Sequence, residues 1–353
     1  MNFSAYTSQF RDAAQQIGLQ ENVIVALLSY AKKLNDQGLP IIYDQVHLSL
    51  LLGYDYEFLI ALSNDAACFY KQYEILKKSG GSRLIEEPLP SLKEIQRWIL
   101  EEILTPASNS MVSPVAKAFM PGKSLRENAR FHKRKQKVVS LDITDFFPSI
   151  GFGAVLGLFH NMGYSKPVCV MLARLCTLNG KLPQGAPTSP MLSNLFFKKT
   201  DDIIFHYCRK RDILYTRYAD DLVFSGNNLK PQHLISFVKM LLSSRHMNLN
   251  EKKTKVMGRG SRQFVTGVVV NDKMQVSREY RNKIRQEIYY YIKYGASSHF
   301  ERIKHELPAW INSPDLYLKH LLGKVYFVLQ INPDDIVFKR YRDMLKADGV
   351  KCN

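Results

Sequence analysis

Two strand-like stretches carry carboxylates where apolar side chains belong, and this conflict constrains the chain more than any other feature. VVSLDITDFF alternates apolar and polar residues around Asp142, and ILYTRYADDLVFSG does the same around Asp220 and Asp221. A carboxylate buried in a strand is costly unless it is paired or ligates a cation. Strand neighbours point to opposite faces, so Asp220 and Asp221 converge only if they sit at a tight turn between two strands. The hairpin reading puts them there. The plain alternative, a strand end decorated with solvated acids, is the ordinary one for a bare Asp-Asp pair. Oxygen ligands in a basic surround, with no His or Cys cluster nearby, suit Mg²⁺, which keeps waters and binds a few carboxylates together with substrate phosphates. Two such ions would clamp the attacking and leaving oxygens of an in-line phosphoryl displacement.

Charge supplies the context. Among 353 residues, 49 Lys and Arg against 32 Asp and Glu leave a formal charge of +17, which points to a polyanionic partner and first of all to nucleic acid. The basic residues cluster in three stretches: Lys123 to Lys137, Lys252 to Arg262, and the segment after Lys273. Around an acidic centre they read as a track for phosphates. With 46% hydrophobic residues the chain can bury a core, which excludes disorder. Five cysteines without a CxxC pair argue against a disulfide framework or a zinc site. No apolar run approaches the ~18–20 residues of a membrane span, and the start lacks the apolar core of a secretion signal, so a soluble, cytoplasmic protein that does not engage a membrane is expected.

Patterning divides the chain into three. Residues 1–75 read as a helical segment, with ENVIVALLSYAKKL at helical spacing and LSLLLG ending at Gly53. YEILKKSGGSRLIEEPLP alternates on both sides of Gly80-Gly81, as a β-hairpin does. SLKEIQRWILEEIL follows as a helix, with Ser91 as N-cap and Glu94 completing a capping box. Helices are expected at GFGAVLGLFHNM and SPMLSNLFFKKTDDIIFHYCRK, between the two acid-bearing strands. Within residues 76–272, a strand, a helical excursion and a strand hairpin with acids at its turn describe an α+β palm. From Arg278 onward the chain is helical and basic, and residues 273–353 are expected to form a separate C-terminal subdomain.

These residues carry a resemblance. Tyr218-Ala219-Asp220-Asp221 resembles the YxDD box of reverse transcriptases, LDITDFF their first palm motif, and Leu182 to Leu195 their fourth block. NLNEKKTKV resembles the Lys-bearing block after YxDD, and Arg83-Leu84-Ile85 with Pro88 the fingers motif. The resemblance implies a right-hand polymerase with fingers, palm and helical thumb. It implies that Asp142 and Asp220 hold two Mg²⁺ with the Ile143 carbonyl as a further ligand, and that Asp221 supports or ligates them. Lys253 resembles the proton donor to pyrophosphate, although Lys252 stands beside it. Phe147 would exclude a 2′-OH and so select deoxynucleotides; of Phe146 and Phe147, one is expected in the core and one at the gate. Gln184 and Gly185 would line the nucleotide pocket, and Lys78 and Arg83 would neutralise the triphosphate.

Two further strings narrow the family. Asn128-Ala129-Arg130-Phe131-His132 resembles the Asn-Ala-x-x-His signature, and Val265-Thr266-Gly267 the Val-Thr-Gly signature, of bacterial retron reverse transcriptases. Taken singly, each string is more often structural. The resemblance implies an enzyme that primes from a 2′-OH within a structured non-coding RNA from its own operon and copies part of it into branched multicopy single-stranded DNA. It further implies an antiphage defence role with a separate effector protein, for which residues 1 to about 70 offer a contact surface. Asn128, His132, Val265, Thr266 and Gly267 are candidate RNA contacts. So are Arg278, Arg281, Lys283 and Arg285 beside Tyr289, Tyr290 and Tyr291, at least one of which should be core. The alternatives are another prokaryotic reverse transcriptase (diversity-generating, abortive-infection or CRISPR-associated) and a non-catalytic RNA-binding scaffold.

Overall fold

The computed structural model describes residues 3–76 and 80–347. They pack as two compact units, each discontinuous in sequence. One comprises Met1–Met120, Ile143–His206 and Ser236–Leu249; the other comprises Pro121–Asp142, Tyr207–Ile235 and Asn250–Asn353. The divisions read from the sequence, at residues 75 and 272, are continuous segments and follow motif content instead of packing.

The first unit opens with helices α1 (Phe3–Gln16), α2 (Glu21–Asn35), α3 (Gln45–Leu52) and α4 (Tyr56–Asn64). α2 buries Ile24, Leu28, Ala31 and Leu34, the single apolar face that its spacing predicts. α3 is capped by Asp44, whose carboxylate accepts from the His47 N–H at 2.7 Å, and ends at Gly53 with φ of 73°, a conformation glycine adopts without strain. Strands β1 (Tyr70–Leu76) and β2 (Ser82–Pro88) pair antiparallel as the expected hairpin. α5 (Pro90–Trp98) then begins two residues earlier than the capping-box reading. Pro90, with its fixed φ, takes a first helical position and Leu89 is the N-cap, so Ser91 lies inside the helix and caps nothing. Glu94 instead accepts the Tyr54 hydroxyl at 2.9 Å. A π-helical stretch, Ile99–Leu104, runs into α6 (Thr105–Met111).

In chain order there follow α7 (Leu125–Arg130), β3 (Lys137–Asp142), α8 (Phe152–Asn161), α9 (Lys166–Cys176) and α10 (Ser189–Arg209). α8 and α10 are the two helices expected between the acid-bearing strands. α9 buries Val168, Cys169, Met171, Leu172, Ala173, Leu175 and Cys176 and leaves a narrow strip, Pro167, Val170 and Arg174, towards solvent. The N-terminal helices pack within this unit instead of standing apart. Gln37 Nε2 donates to the Met162 carbonyl, Tyr164 Oη donates to that of Pro40, and α4 lies on α9.

The second unit is built on a four-stranded antiparallel sheet. After β4 (Leu214–Tyr218), β5 (Asp221–Gly226), α11 (Pro231–Ser243) and β6 (Lys255–Gly258), the sheet order is β4-β5-β3-β6. β3 ends at Asp142, where the sequence suggested a strand running on to Phe147; residues 144–149 are turn. A three-stranded sheet follows, of β7 (Phe264–Val265), β8 (Val268–Val269) and β9 (Gln275–Val276), and then helices α12 (Arg278–Tyr294), α13 (Ala296–Ile303), α14 (Pro314–Ile331) and α15 (Ile336–Ala347). One apolar core runs through this unit: Ala129, Val138, Val223 and Met257 join Val265, Val268, Ile284, Leu321, Val325 and Phe338. The expected separate C-terminal subdomain therefore shares its core with the palm sheet. α12 is tied to α14 by the Lys324–Glu287 ion pair at 2.9 Å.

Candidate active site

Sheet register gathers the acids. Asp142 on β3 pairs with Asp221 on β5, and Asp221 pairs in turn with Tyr218 on β4. Cross-strand partners share a face, so the Asp142 and Asp221 side chains project together from the end of the sheet. Ala219 and Asp220 form the two-residue turn between β4 and β5, so the adjacent acids sit at a tight turn, Asp220 in it and Asp221 directly after it. Ala219 has φ of 58°, a left-handed value that hairpin turns normally assign to glycine, and this is local strain that the surroundings must hold. The fully buried Arg217 meets it, donating from Nη1 to the Ala219 carbonyl at 3.2 Å. Sequence reasoning passed over Arg217; a cation inside an apolar strand two residues before the turn is the signal that marks it.

The electrostatics ask for a cation. Burial, and then the like charges of Asp220 and Asp142, push the Asp221 carboxyl up to about 6, against the opposing pull of Lys253 and Lys255. Lys253 Nζ donates to both oxygens of the largely buried Asp142 carboxylate, at 2.9 and 3.1 Å, and that contact raises its own pKa. Lys253 is thus the lysine of its block that reaches the acids. Among the described residues no three His, Cys, Asp or Glu side chains form a finished metal cage. Ile143 is buried and pairs antiparallel with Leu249, a partner within the first unit.

The expected nucleotide-pocket residues lie in the first unit. Gly185, with φ of 147°, stands against β2 so closely that a Cβ would lie 2.5 Å from the Glu86 carbonyl oxygen. The Glu86 N–H donates to the Gln184 carbonyl at 2.9 Å, so this loop is stitched to the fingers hairpin. Gln184 is half-buried, and Arg83 is exposed on β2. Lys78 lies outside the described residues. Phe146 is buried against Phe197, with ring centroids 5.7 Å apart, whereas Phe147 is half-buried beside Phe119. One ring is core and one is not, by virtue of the turn geometry and not of strand alternation.

Several expected RNA contacts turn inward. Asn128, His132 and Val265 are fully buried, so none presents a side chain to a ligand. Thr266 and Gly267, with φ of 45° and 84°, form the tip of the β7–β8 hairpin. On α12, Arg278 and Lys283 are exposed, but Arg281 faces Asp335 at 3.9 Å, and Arg285 lies over the Phe338 ring at 5.8 Å. Helical spacing puts residues 281 and 285 on one face, and that face packs on α15. Tyr289 is exposed, whereas Tyr290 and Tyr291 are half-buried, Tyr291 against the core.

Residues 75–291 match the family model described as Reverse transcriptase (RNA-dependent DNA polymerase). The chain is 34% identical over 276 residues to the Retron Ec86 reverse transcriptase of Escherichia coli, covering 77% of this chain and 85% of that one. It is 32% identical over 331 residues to the Retron Mx65 reverse transcriptase of Myxococcus xanthus, covering 87% and 73%. The chain belongs to the retron reverse transcriptase family. It is accordingly an RNA-directed DNA polymerase of the α+β right-hand class, which takes an RNA template and deoxynucleotides and works with divalent metal ions as its family does. A solved structure of apo telomerase from Candida Tropicalis aligns with a TM-score of 0.47 at 13% identity, over 78% of this chain and 59% of that chain. No described helix of this family member is long and apolar enough to cross a membrane.

Proposed function

We propose that this polymerase copies a structured partner RNA into branched multicopy single-stranded DNA, priming from a 2′-OH of that RNA, with Asp142, Asp220 and Asp221 holding two Mg²⁺. The observation that carries the metal reading is the Asp142–Asp221 register, with Asp220 on the adjoining turn; burial, and then the repulsion of the neighbouring acids, raises Asp221. The carboxylates present oxygen donors on one sheet end, and the Ile143 carbonyl follows directly in the chain. When bound, the ions would supply Lewis-acid stabilisation of the attacking and leaving oxygens. Lys253, held by Asp142, is a proton source for the departing pyrophosphate. Lys78 and Arg83 neutralise the triphosphate, Gln184 and Gly185 line its pocket, and Phe147 closes the space at the sugar 2′ position. Thr266, Gly267, Arg278 and Lys283 remain as RNA contacts that a ligand can reach.

The same reading includes antiphage defence through a separate effector protein. Val25, Val46 and Leu50, apolar yet exposed on α2 and α3, favour the N-terminal helices as its contact. The segments 1–75, 76–272 and 273–353 would then serve as partner surface, fingers with palm, and RNA-gripping thumb. The test is to purify the protein from cells carrying its native locus and run the co-purifying nucleic acid on a denaturing gel, with and without RNase and debranching enzyme, beside Asp220→Ala. A discrete DNA that shifts on debranching and vanishes in the variant is the expected result. Mg²⁺-dependent extension of an ordinary primer with no such DNA would keep the polymerase and remove the 2′-primed product.

A further inference from the structure

The two signature strings, 138 residues apart at their closest contact, meet in one buried hydrogen-bonded chain. His132 Nδ1 lies 2.8 Å from Ser225 Oγ on β5, and its Nε2 lies 2.7 Å from Thr216 Oγ1 on β4. Thr216 donates to Asn128 Oδ1 at 2.6 Å, and Asn128 Nδ2 donates to Thr266 Oγ1 at 3.4 Å. The direction of each bond follows. A hydroxyl has one proton, and that of Thr216 is given to Asn128, so Thr216 must accept from His132 Nε2–H. A neutral imidazole then has Nδ1 free to accept, and Ser225 donates to it. Burial keeps the ring neutral, pushing its pKa down to about 3.

The position of this chain matters. In the sheet order β4-β5-β3-β6, β4 is an edge strand, held by backbone bonds on one side alone. It ends in the strained Ala219–Asp220 turn. Thr216 pairs with Val223, and Ser225 is the next residue along β5 on the same face. By the same alternation Thr216 and Ser225 share that face with Asp221 and Asp142. His132 therefore spans a diagonal of the β4–β5 ladder directly behind the acids, joining the edge strand to its neighbour through side chains.

We propose that His132 and Asn128 are positioning residues: they clamp β4 to β5 behind the Asp220–Asp221 turn and so hold the carboxylates in their metal-binding arrangement. This inference rests on the reading of those acids as metal ligands. The clamp also anchors the turn to Thr266, at the tip of the β7–β8 hairpin, which explains why two distant strings occur together.

The experiment removes single hydroxyls without changing side-chain shape, by Thr216→Val and Ser225→Ala in the full chain, beside Thr216→Ser and Asp220→Ala. Mn²⁺ binding is measured by electron paramagnetic resonance in the presence of an RNA-templated, dideoxy-terminated primer and the next dNTP; primer extension and the circular-dichroism melt are recorded in parallel. Expected are a five- to tenfold weaker Mn²⁺ affinity and at least tenfold slower extension for Thr216→Val and Ser225→Ala, RNA affinity within twofold of wild type, and wild-type behaviour for Thr216→Ser. Variants that melt at the assay temperature, or that lose activity while binding Mn²⁺ as the wild type does, would show a purely structural role and overturn the proposal. If Asp220→Ala binds Mn²⁺ normally, the metal reading itself falls and this inference with it. If Asp220→Ala loses Mn²⁺ while the hydroxyl variants keep it, the positioning role alone falls.

Discussion

Phe146 and Phe147 are chemically identical neighbours with different surroundings. Phe146 packs against Phe197 in the interior, and Phe147 stands half-exposed beside Phe119. Shortening the buried ring leaves a cavity, so Phe146→Ala should cost about 3–5 kcal/mol, read from the midpoint of urea unfolding. Phe147→Val should leave the fold intact and relax the exclusion of ribonucleotides about 10- to 100-fold, the scale of a few methylenes in a pocket. Single-nucleotide extension with dNTP against rNTP measures it; unchanged discrimination would remove Phe147 from the gate. The sequence showed that one of the pair is core. Which one followed from the turn at residues 144–149, where Asp145 takes φ of 46° and breaks strand alternation.

Elements decide what a residue's type leaves open. α7 delivers Asn128 and the following His132 into the interior, and a buried imidazole held neutral gives the fold an acid limit. The unfolded chain takes up a proton near pH 6.5 that the native ring refuses until about pH 3, so stability from this group falls as pH drops through that window. At pH 5 the loss is about 2 kcal/mol, and His132→Gln should flatten the pH 7 to pH 5 change in urea midpoint by that amount. An equal pH response in the variant would show that other groups govern the acid limit. α12 divides its cations in the same way. Arg278→Ala and Lys283→Ala should each weaken RNA binding several-fold and reduce the salt slope by about 1 without lowering the melting temperature. Arg281→Ala should instead destabilise the unit by about 1–3 kcal/mol, because Asp335, with only 10% of its side chain exposed, keeps the Phe338 N–H but loses its cationic partner. Calorimetry and filter binding on the same variants separate the two classes.

At the scale of the whole molecule, a formal charge of +17 should make RNA affinity fall steeply with salt. If at least four phosphates are neutralised, binding should weaken about 10²-fold between 50 and 200 mM salt, and a flat log–log plot would contradict the phosphate track. The acids at the end of the sheet, the hairpins and the family blocks were legible in the sequence, because each depends on local spacing: period two for strands, glycine at turns; the start of α5 was not, since Pro90 displaced the Ser91 cap. α9 was passed over, since its exposed strip is only Pro167, Val170 and Arg174 wide, and two of those three residues are not polar. The clamp of His132, the inward turn of Arg281 and the shared core of the sheet and C-terminal helices were also hidden. The clamp and the Arg281 contact depend on partners 54 to 138 residues away, and the core on still more distant ones, which no local pattern encodes. The sequence by itself determined that this chain is a polymerase and where its carboxylates stand. Only the tertiary structure decided which polar residues face a ligand and which hold the site from behind, because burial is a property of packing and not of the residue.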